Sequence, residues 1–261
     1  MINKINKYRL LLGGVILAVL QGCTTVPHPV TEDPWEGMNR DILSFNDQVD
    51  KFVLKPVAKG YQWITPEFAD IGISNFFSNL KDIGVSVNDF LQAKPKRGIM
   101  DTTRFLVNST AGIAGFIDVA TMIDLPKHQE DFAQTLAVWG VPRGPYFVIP
   151  LLGPSSVRGV GGYVGDSALH PLTYTFFFGS SAVSWGLSVG LSTVEIVDAR
   201  ADFLGAEAVA SEAAIDRYVF FRSAYMQRRD YLISDGAVQP LDFEGMNGED
   251  LGEDLYEEGL E

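Results

Sequence analysis

Residues able to do covalent chemistry are few in this chain, and their spacing argues against their use. Gly186-Leu187-Ser188-Val189-Gly190 matches the nucleophile-elbow pattern of esterases, in which a strand delivers the serine to a sharp turn and a histidine comes later in the chain. Here the last histidine, His170, lies upstream, and the surrounding residues predict helix. Gly165-Asp166-Ser167 beside His170 is similar to the start of Gly-Asp-Ser lipases, but the Asp-x-x-His pair those enzymes need near the C-terminus is missing. The four-residue spacing of Asp166 and His170 predicts a helix-surface contact instead. His28, His128 and His170 are scattered, and the order Asp242, Glu244, Met246 breaks the pattern of a calcium loop. No catalytic residue, metal site or cofactor is therefore expected. One chemically distinctive residue remains, the single cysteine, Cys23, which rules out an intrachain disulfide.

Cys23 closes a targeting segment. Lys4, Lys7 and Arg9 precede an apolar run over residues 10–20, which is too short to span a bilayer and has the order of a signal peptide. Leu20-Gln21-Gly22-Cys23 resembles the bacterial lipobox, in which the cysteine becomes the lipidated first residue. The alternative is a secreted soluble protein with an incidental cysteine. Residues 1–22 are thus expected to be a signal peptide, and 23–32, with Pro27 and Pro29, a lipidated tether. The 261 residues carry a formal charge of −13, but eleven of the acids and none of the bases lie from Asp230 onward. The body is nearly neutral and has no basic patch, so nucleic acid is not an expected partner. Residues 237–261, acidic and Gly-rich, have too little apolar content to fold alone and predict a disordered tail.

Between tether and tail the periodicity is helical. Asp33-Pro34 predicts an N-cap with proline at the first helical position. Trp35, Met38, Ile42, Phe45, Val49 and Phe52 recur at three- and four-residue steps, a stripe expected to end before Pro56. Further helices are expected over 57–64, from Thr65-Pro66-Glu67 to residue 92, and in one long run over 206–233. Residues 105–118 are small and apolar enough for a packed core helix or for close approach of a lipid tail. Residues 167–194 contain no Asp, Glu, Lys or Arg. They predict a membrane-embedded or interfacial helix pair, packed on ladders of Ala182, Gly186 and Gly190 and of Ser184, Ser188 and Ser192. Arg222, Arg228 and Arg229 are expected to meet lipid phosphates or to solvate a helix face. No strand alternation is evident.

The stretch over residues 130–158 stands apart. Glu130 and Asp131 favour a helix start, Phe132, Leu136 and Trp139 share one face, and Gly140 and Pro142 end it. The residues after Pro142 are apolar yet interrupted by Pro145, Pro150 and Pro154, which excludes a regular helix or a central strand. Ser155 or Ser156 then caps the next helix. The segment predicts a fixed apolar wall.

These residues also carry a resemblance. The 130–158 stretch, the order Asp33-Pro34-Trp35-Glu36-Gly37-Met38-Asn39-Arg40, then Phe45-Asn46, Lys55-Pro56, Asn108-Ser109-Thr110 and the segment from Asp216-Arg217-Tyr218 to Arg228-Arg229-Asp230-Tyr231 are similar to the MlaA (VacJ) family of outer-membrane lipoproteins. The resemblance implies an all-α, single domain over residues 33–236, ring-like, membrane-embedded and lipid-anchored at Cys23 on the periplasmic side of the outer membrane. It implies transport of phospholipid from the outer leaflet through an amphipathic channel to a soluble periplasmic lipid carrier of the Mla system, with trimeric outer-membrane porins as further partners. On that reading the conduit candidates are Tyr146, Phe147, Val148, Ile149, Leu151, Leu152 and Asn108. Transfer of an intact lipid breaks no bond, so it needs an apolar path with polar groups rather than a nucleophile. The rival expectations are a porin-associated scaffold lipoprotein without transport activity and a lipid hydrolase.

Overall fold

The computed structural model describes residues 33–177, 181–213 and 216–237. The expected signal peptide, the Cys23 tether and nearly all of the acidic tail lie outside them. The elements are α1 (Glu36–Val49), a π-helical turn (Asp50–Leu54), α2 (Lys55–Ile64), α3 (Glu67–Leu91), α4 (Pro95–Thr110), α5 (Val119–Met122), α6 (Phe132–Val138), β1 (Tyr146–Ile149), β2 (Gly153–Ser156), α7 (Val157–Leu169), a 3-10 helix (Pro171–Phe177), α8 (Ser181–Ala213) and α9 (Arg217–Ile233). The helical expectation holds, with one antiparallel hairpin added.

Local chemistry explains most boundaries. Asp131 and Ser156 accept from the amides of Gln134 and Gly159 and cap α6 and α7, each satisfying a free N–H of a first turn. Gly140, at φ +85°, stops α6 in the left-handed conformation that glycine adopts without a steric cost. Other boundaries differ from expectation. Pro56 does not end the first stripe, because helix continues through it. The Lys55 amide reaches back five residues to the Asp50 carbonyl, a widened turn that accommodates a proline ring lacking its own N–H. The run expected over 206–233 is two helices, because Asp216 takes an extended conformation and accepts from the amides of Tyr218 and Val219, starting α9 afresh. Asp33 caps nothing: it is wholly buried, and its carboxylate accepts from Asn39, Tyr218 and Arg222.

The packing is inverted relative to a soluble domain. Among the described residues ten buried side chains are apolar and eighteen are polar or charged, while Trp63, Phe68 and Trp185 are 87%, 80% and 74% exposed. Soluble proteins bury the apolar set and leave exposed aromatics scattered singly. The long hairpin of α3 and α4 illustrates the inversion, since its seam is polar: Ser86 meets Thr102 and the Gly98 carbonyl, and Asn79 donates to Ser109. At the bend, Arg104 is fully buried against Asp118 at 2.9 Å and donates to the Leu125 carbonyl.

The small-residue ladders of α8 divide. Among the described residues Gly186 and Gly190 have no neighbour where a Cβ would stand, so neither makes a close helix contact there. Ser184 is buried, and Ser188 donates to the Leu172 carbonyl of the 3-10 helix. No described helix is long and apolar enough to cross a membrane. Asp166 does not pair with His170: it accepts from the Phe132 amide and Asn88, at the start of α6, while His170 approaches Glu195. Arg222 and Arg229 are held by Asp33 and Asp131, and Arg228 by Gln129, so the first two already have carboxylate partners.

Candidate functional site

The proline-broken segment folds as a β-hairpin, and this corrects the expectation that no strand is present. Its strands are four residues each, in the register Tyr146↔Ser156 to Ile149↔Gly153. Pro145 precedes β1 and Pro150 sits in the turn. Pro154 lies in a two-stranded sheet, where no third strand calls for its missing N–H. Leu151 at φ +67° and Gly153 at φ +88° complete the tight turn; a left-handed leucine is uncommon and needs outside support.

Helix α1 supplies that support. Asn39 donates to the Tyr146 carbonyl and accepts from the Val148 amide at 2.9 Å. Asn46 donates to the Ile149 carbonyl at 3.1 Å and accepts from the Leu151 amide at 2.7 Å. Each carboxamide thus presents one donor and one acceptor to the hairpin edge, as a third strand would. The spacing fits, since seven helical residues rise about 10.5 Å and three strand residues about 10 Å. Both asparagines stand in the sequence, but only the hairpin reveals what they hold.

A cavity of about 240 Å³ opens beside the hairpin tip. Leu43, Leu54, Leu151, Leu152, Phe203 and Phe221 give it apolar walls, and Asp47, Asp50, Arg200, Glu207 and Arg217 line it with charge. Arg200 binds Asp50 through two bonds of 2.6 and 2.7 Å and Glu207 through one of 2.6 Å. The Asp50 hydrogen bond is the main cause that raises the Arg200 pKa against the opposing effect of burial. The same bond holds the Asp50 carboxyl below its ordinary range. Burial pushes Glu207 the other way, but the hydrogen bonds from Arg200 and Lys55 prevail and keep it ionised. The cavity is amphipathic.

The conduit candidates separate into three groups. Leu151 and Leu152 are exposed and line this cavity. Tyr146 and Val148 are buried at 1% exposure, clustered with Tyr218 and packed by Ile42, Leu43, Tyr225 and Met226, while Phe147 and Ile149 are half-buried. Asn108 is buried at the α4–α5 turn, where it donates to Asp118 and accepts from the Ala120 amide. There burial opposes ionisation of Asp118, yet bonds from Thr121, Asn108 and Arg104 bring it down to about 2. Reasoning from sequence missed Asn39, Asn46, Arg200 and Arg217 as parts of one site.

The family profile of the MlaA lipoproteins matches residues 31–232. The chain belongs to the MlaA lipoprotein family. Among curated relatives, it is 37% identical over 228 residues to the intermembrane phospholipid transport system lipoprotein MlaA of Shigella flexneri, covering 85% of this chain and 86% of that one. It is 36% identical to the protein of the same description from Escherichia coli K12, with the same coverage. The Haemophilus influenzae protein is 30% identical, covering 79% and 81%. A solved chain, from work on the structural basis for maintenance of bacterial outer membrane lipid asymmetry, superposes with a TM-score of 0.66 at 36% identity, covering 77% of this chain and 98% of its own. The motif stretches between Asp33 and Tyr231 all fall within the residues matched to the MlaA family.

Proposed function

We propose that this chain is the lipoprotein component of an intermembrane phospholipid transport system. It removes mislocalised phospholipid from the outer leaflet of the outer membrane through an amphipathic passage and so maintains lipid asymmetry. The observation that carries the reading is the inverted packing, polar side chains inside and large apolar ones outside. Such a body suits an apolar surround with a hydrated or headgroup-bearing interior, as free backbone and polar groups are tolerated at membrane depth only inside protein or along a cavity. The groove of about 450 Å³ between α2 and α8, lined by Val57, Trp63, Ile64, Val194 and Val197, offers further apolar surface to acyl chains.

On this reading the domain is ring-like and embedded in the inner leaflet, with the hairpin tip of Leu151 and Leu152 on the lipid path. Trimeric porins serve as scaffold, and a soluble periplasmic carrier receives the lipid. Cys23 is the anchor, and the exposed aromatics add the second attachment that a lipidated terminus requires for lasting residence. Cys23→Ala is expected to leave an unprocessed or mislocalised protein; outer-membrane fractionation together with the mass of the mature N-terminus checks this.

The deciding experiment charges the path without touching the core. Val148 is unsuitable because it is buried, and a polar group there would unfold the hairpin. Leu152 is 64% exposed, so Leu152→Glu leaves packing intact. Export of outer-leaflet phospholipid should fall at least about tenfold, a barrier increase of about 1.4 kcal/mol, with helix content and porin co-purification retained. Normal export by a folded, bound variant would mean that the lipid path lies elsewhere than at the hairpin tip.

A further inference from the structure

The cavity beside the hairpin contains more than an undifferentiated polar lining. Arg200 has its Nη1 buried without an acceptor, and Arg217 its Nε, among the described residues. Both side chains line the cavity. A buried donor without a partner is costly, and two guanidinium groups on one cavity lining suit a phosphodiester, whose oxygens take charge-assisted hydrogen bonds. In the same lining, Asp47 binds Arg217 through Oδ1, at 3.1 Å, and its Oδ2 has no hydrogen-bond partner among the described residues. Asp47 is also the most open of the lining acids, with its side chain 37% exposed against 24% for Asp50 and 13% for Glu207.

The charge balance then discriminates between headgroups. Asp47, Asp50 and Glu207 face Arg200 and Arg217, and Lys55 binds Glu207 at 3.1 Å from outside the lining. Three acids and three bases sum to zero. A net-negative headgroup would add an unmatched charge beside three carboxylates in a partly dry pocket, where like charges repel more strongly than in water. A zwitterionic headgroup adds none, because its phosphate takes the two free guanidinium N–H groups and its ammonium takes Asp47 Oδ2. We infer that this cavity is a headgroup subsite selective for zwitterionic, ammonium-bearing phospholipid over anionic phospholipid, with Arg200 and Arg217 binding the phosphate and Asp47 the ammonium. The inference rests on the transport reading and extends it to specificity. The leucines and phenylalanines of the same lining meet the start of the acyl chains.

The test uses the full-length protein carrying a photocrosslinking residue in place of Leu152, mixed with vesicles of phosphatidylethanolamine or phosphatidylglycerol with identical acyl chains. Capture of phosphatidylethanolamine should exceed that of phosphatidylglycerol about tenfold. Asp47→Asn, a partly exposed position, should bring the ratio towards one while total capture persists. Arg217→Gln should lower capture of both lipids, with helix content unchanged. Equal capture by the wild-type cavity, or a preference untouched by Asp47→Asn, would overturn the selectivity and leave the conduit standing. Capture of neither lipid would remove both the subsite and the conduit at this place.

Discussion

Asn39→Ala should destabilise the protein by about 3 kcal/mol and release the hairpin from α1, among the largest effects expected of a single side chain here. The wild-type carboxamide is completely buried and bonded to Asp33, to the Tyr146 carbonyl and to the Val148 amide. Truncation leaves the Tyr146 carbonyl and the Val148 amide away from water without that partner, while Asp33 keeps Tyr218 and Arg222; each unsatisfied group costs about 1–3 kcal/mol. Asn46→Ala should cost less, about 1 kcal/mol, because its end of the hairpin is exposed and water can replace the lost bonds. It should nevertheless loosen the turn, since the Leu151 amide bond supports the left-handed leucine. Denaturant midpoints and amide exchange over residues 146–156 would measure both. A wild-type midpoint with undiminished protection in Asn39→Ala would mean that the strands hold themselves, contrary to the marginal stability of an isolated two-stranded hairpin.

The second large effect concerns pH. Asp89 on α3 and Asp101 on α4 are both fully buried, and neither oxygen of Asp89 has a hydrogen-bond partner other than its acidic neighbour. Burial first, then the hydrogen bond and charge of Asp101, and then Glu130 push the Asp89 carboxyl up to about 8, with Lys94 opposing. His128 Nδ1 meets Asp101 Oδ2 at 2.8 Å, Arg97 and Lys94 bind Glu130, and the buried Asp82 carboxylate adds its charge on the Asp101 side. A carboxyl raised in the folded state holds a proton that the unfolded chain, near 3.9, has released. Its stabilisation is therefore complete below about pH 4 and lost as the pH rises to about 8, with a slope of at most about 1.4 kcal/mol per pH unit. Asp118, held at about 2, has the opposite sign and costs stability only in acid. Thermal midpoints between pH 5 and 9 should fall for the wild type and change far less for Asp89→Asn, which keeps a donor towards Asp101. Parallel profiles for the two proteins would show that the pair shares no proton.

Several features are set by sequence alone because their causes are local. The stop at Gly140, the caps at Asp131 and Ser156, the helical periodicity and the non-helical break between α6 and α7 each depend on a handful of adjacent residues. The motif orders that carry the family resemblance are likewise contiguous, which is why 130–158 could be singled out. Other features depended on what lies opposite. Asp33, with proline after it, has the local signature of a cap, yet its partners Tyr218 and Arg222 are more than 180 positions away. Arg222 and Arg229 have the appearance of free cations until Asp33 and Asp131 are brought to them. Asn39 and Asn46 are ordinary helix-face polars until a hairpin edge arrives in register. The residues expected to line a conduit also divide for this reason, because alternation along β1 sends Tyr146 and Val148 into the core while the turn leaves Leu151 and Leu152 beside the cavity. Local propensity sets where the chain bends; only tertiary contact decides which buried charge meets which partner, since desolvation penalises every pairing except the one that satisfies all its groups.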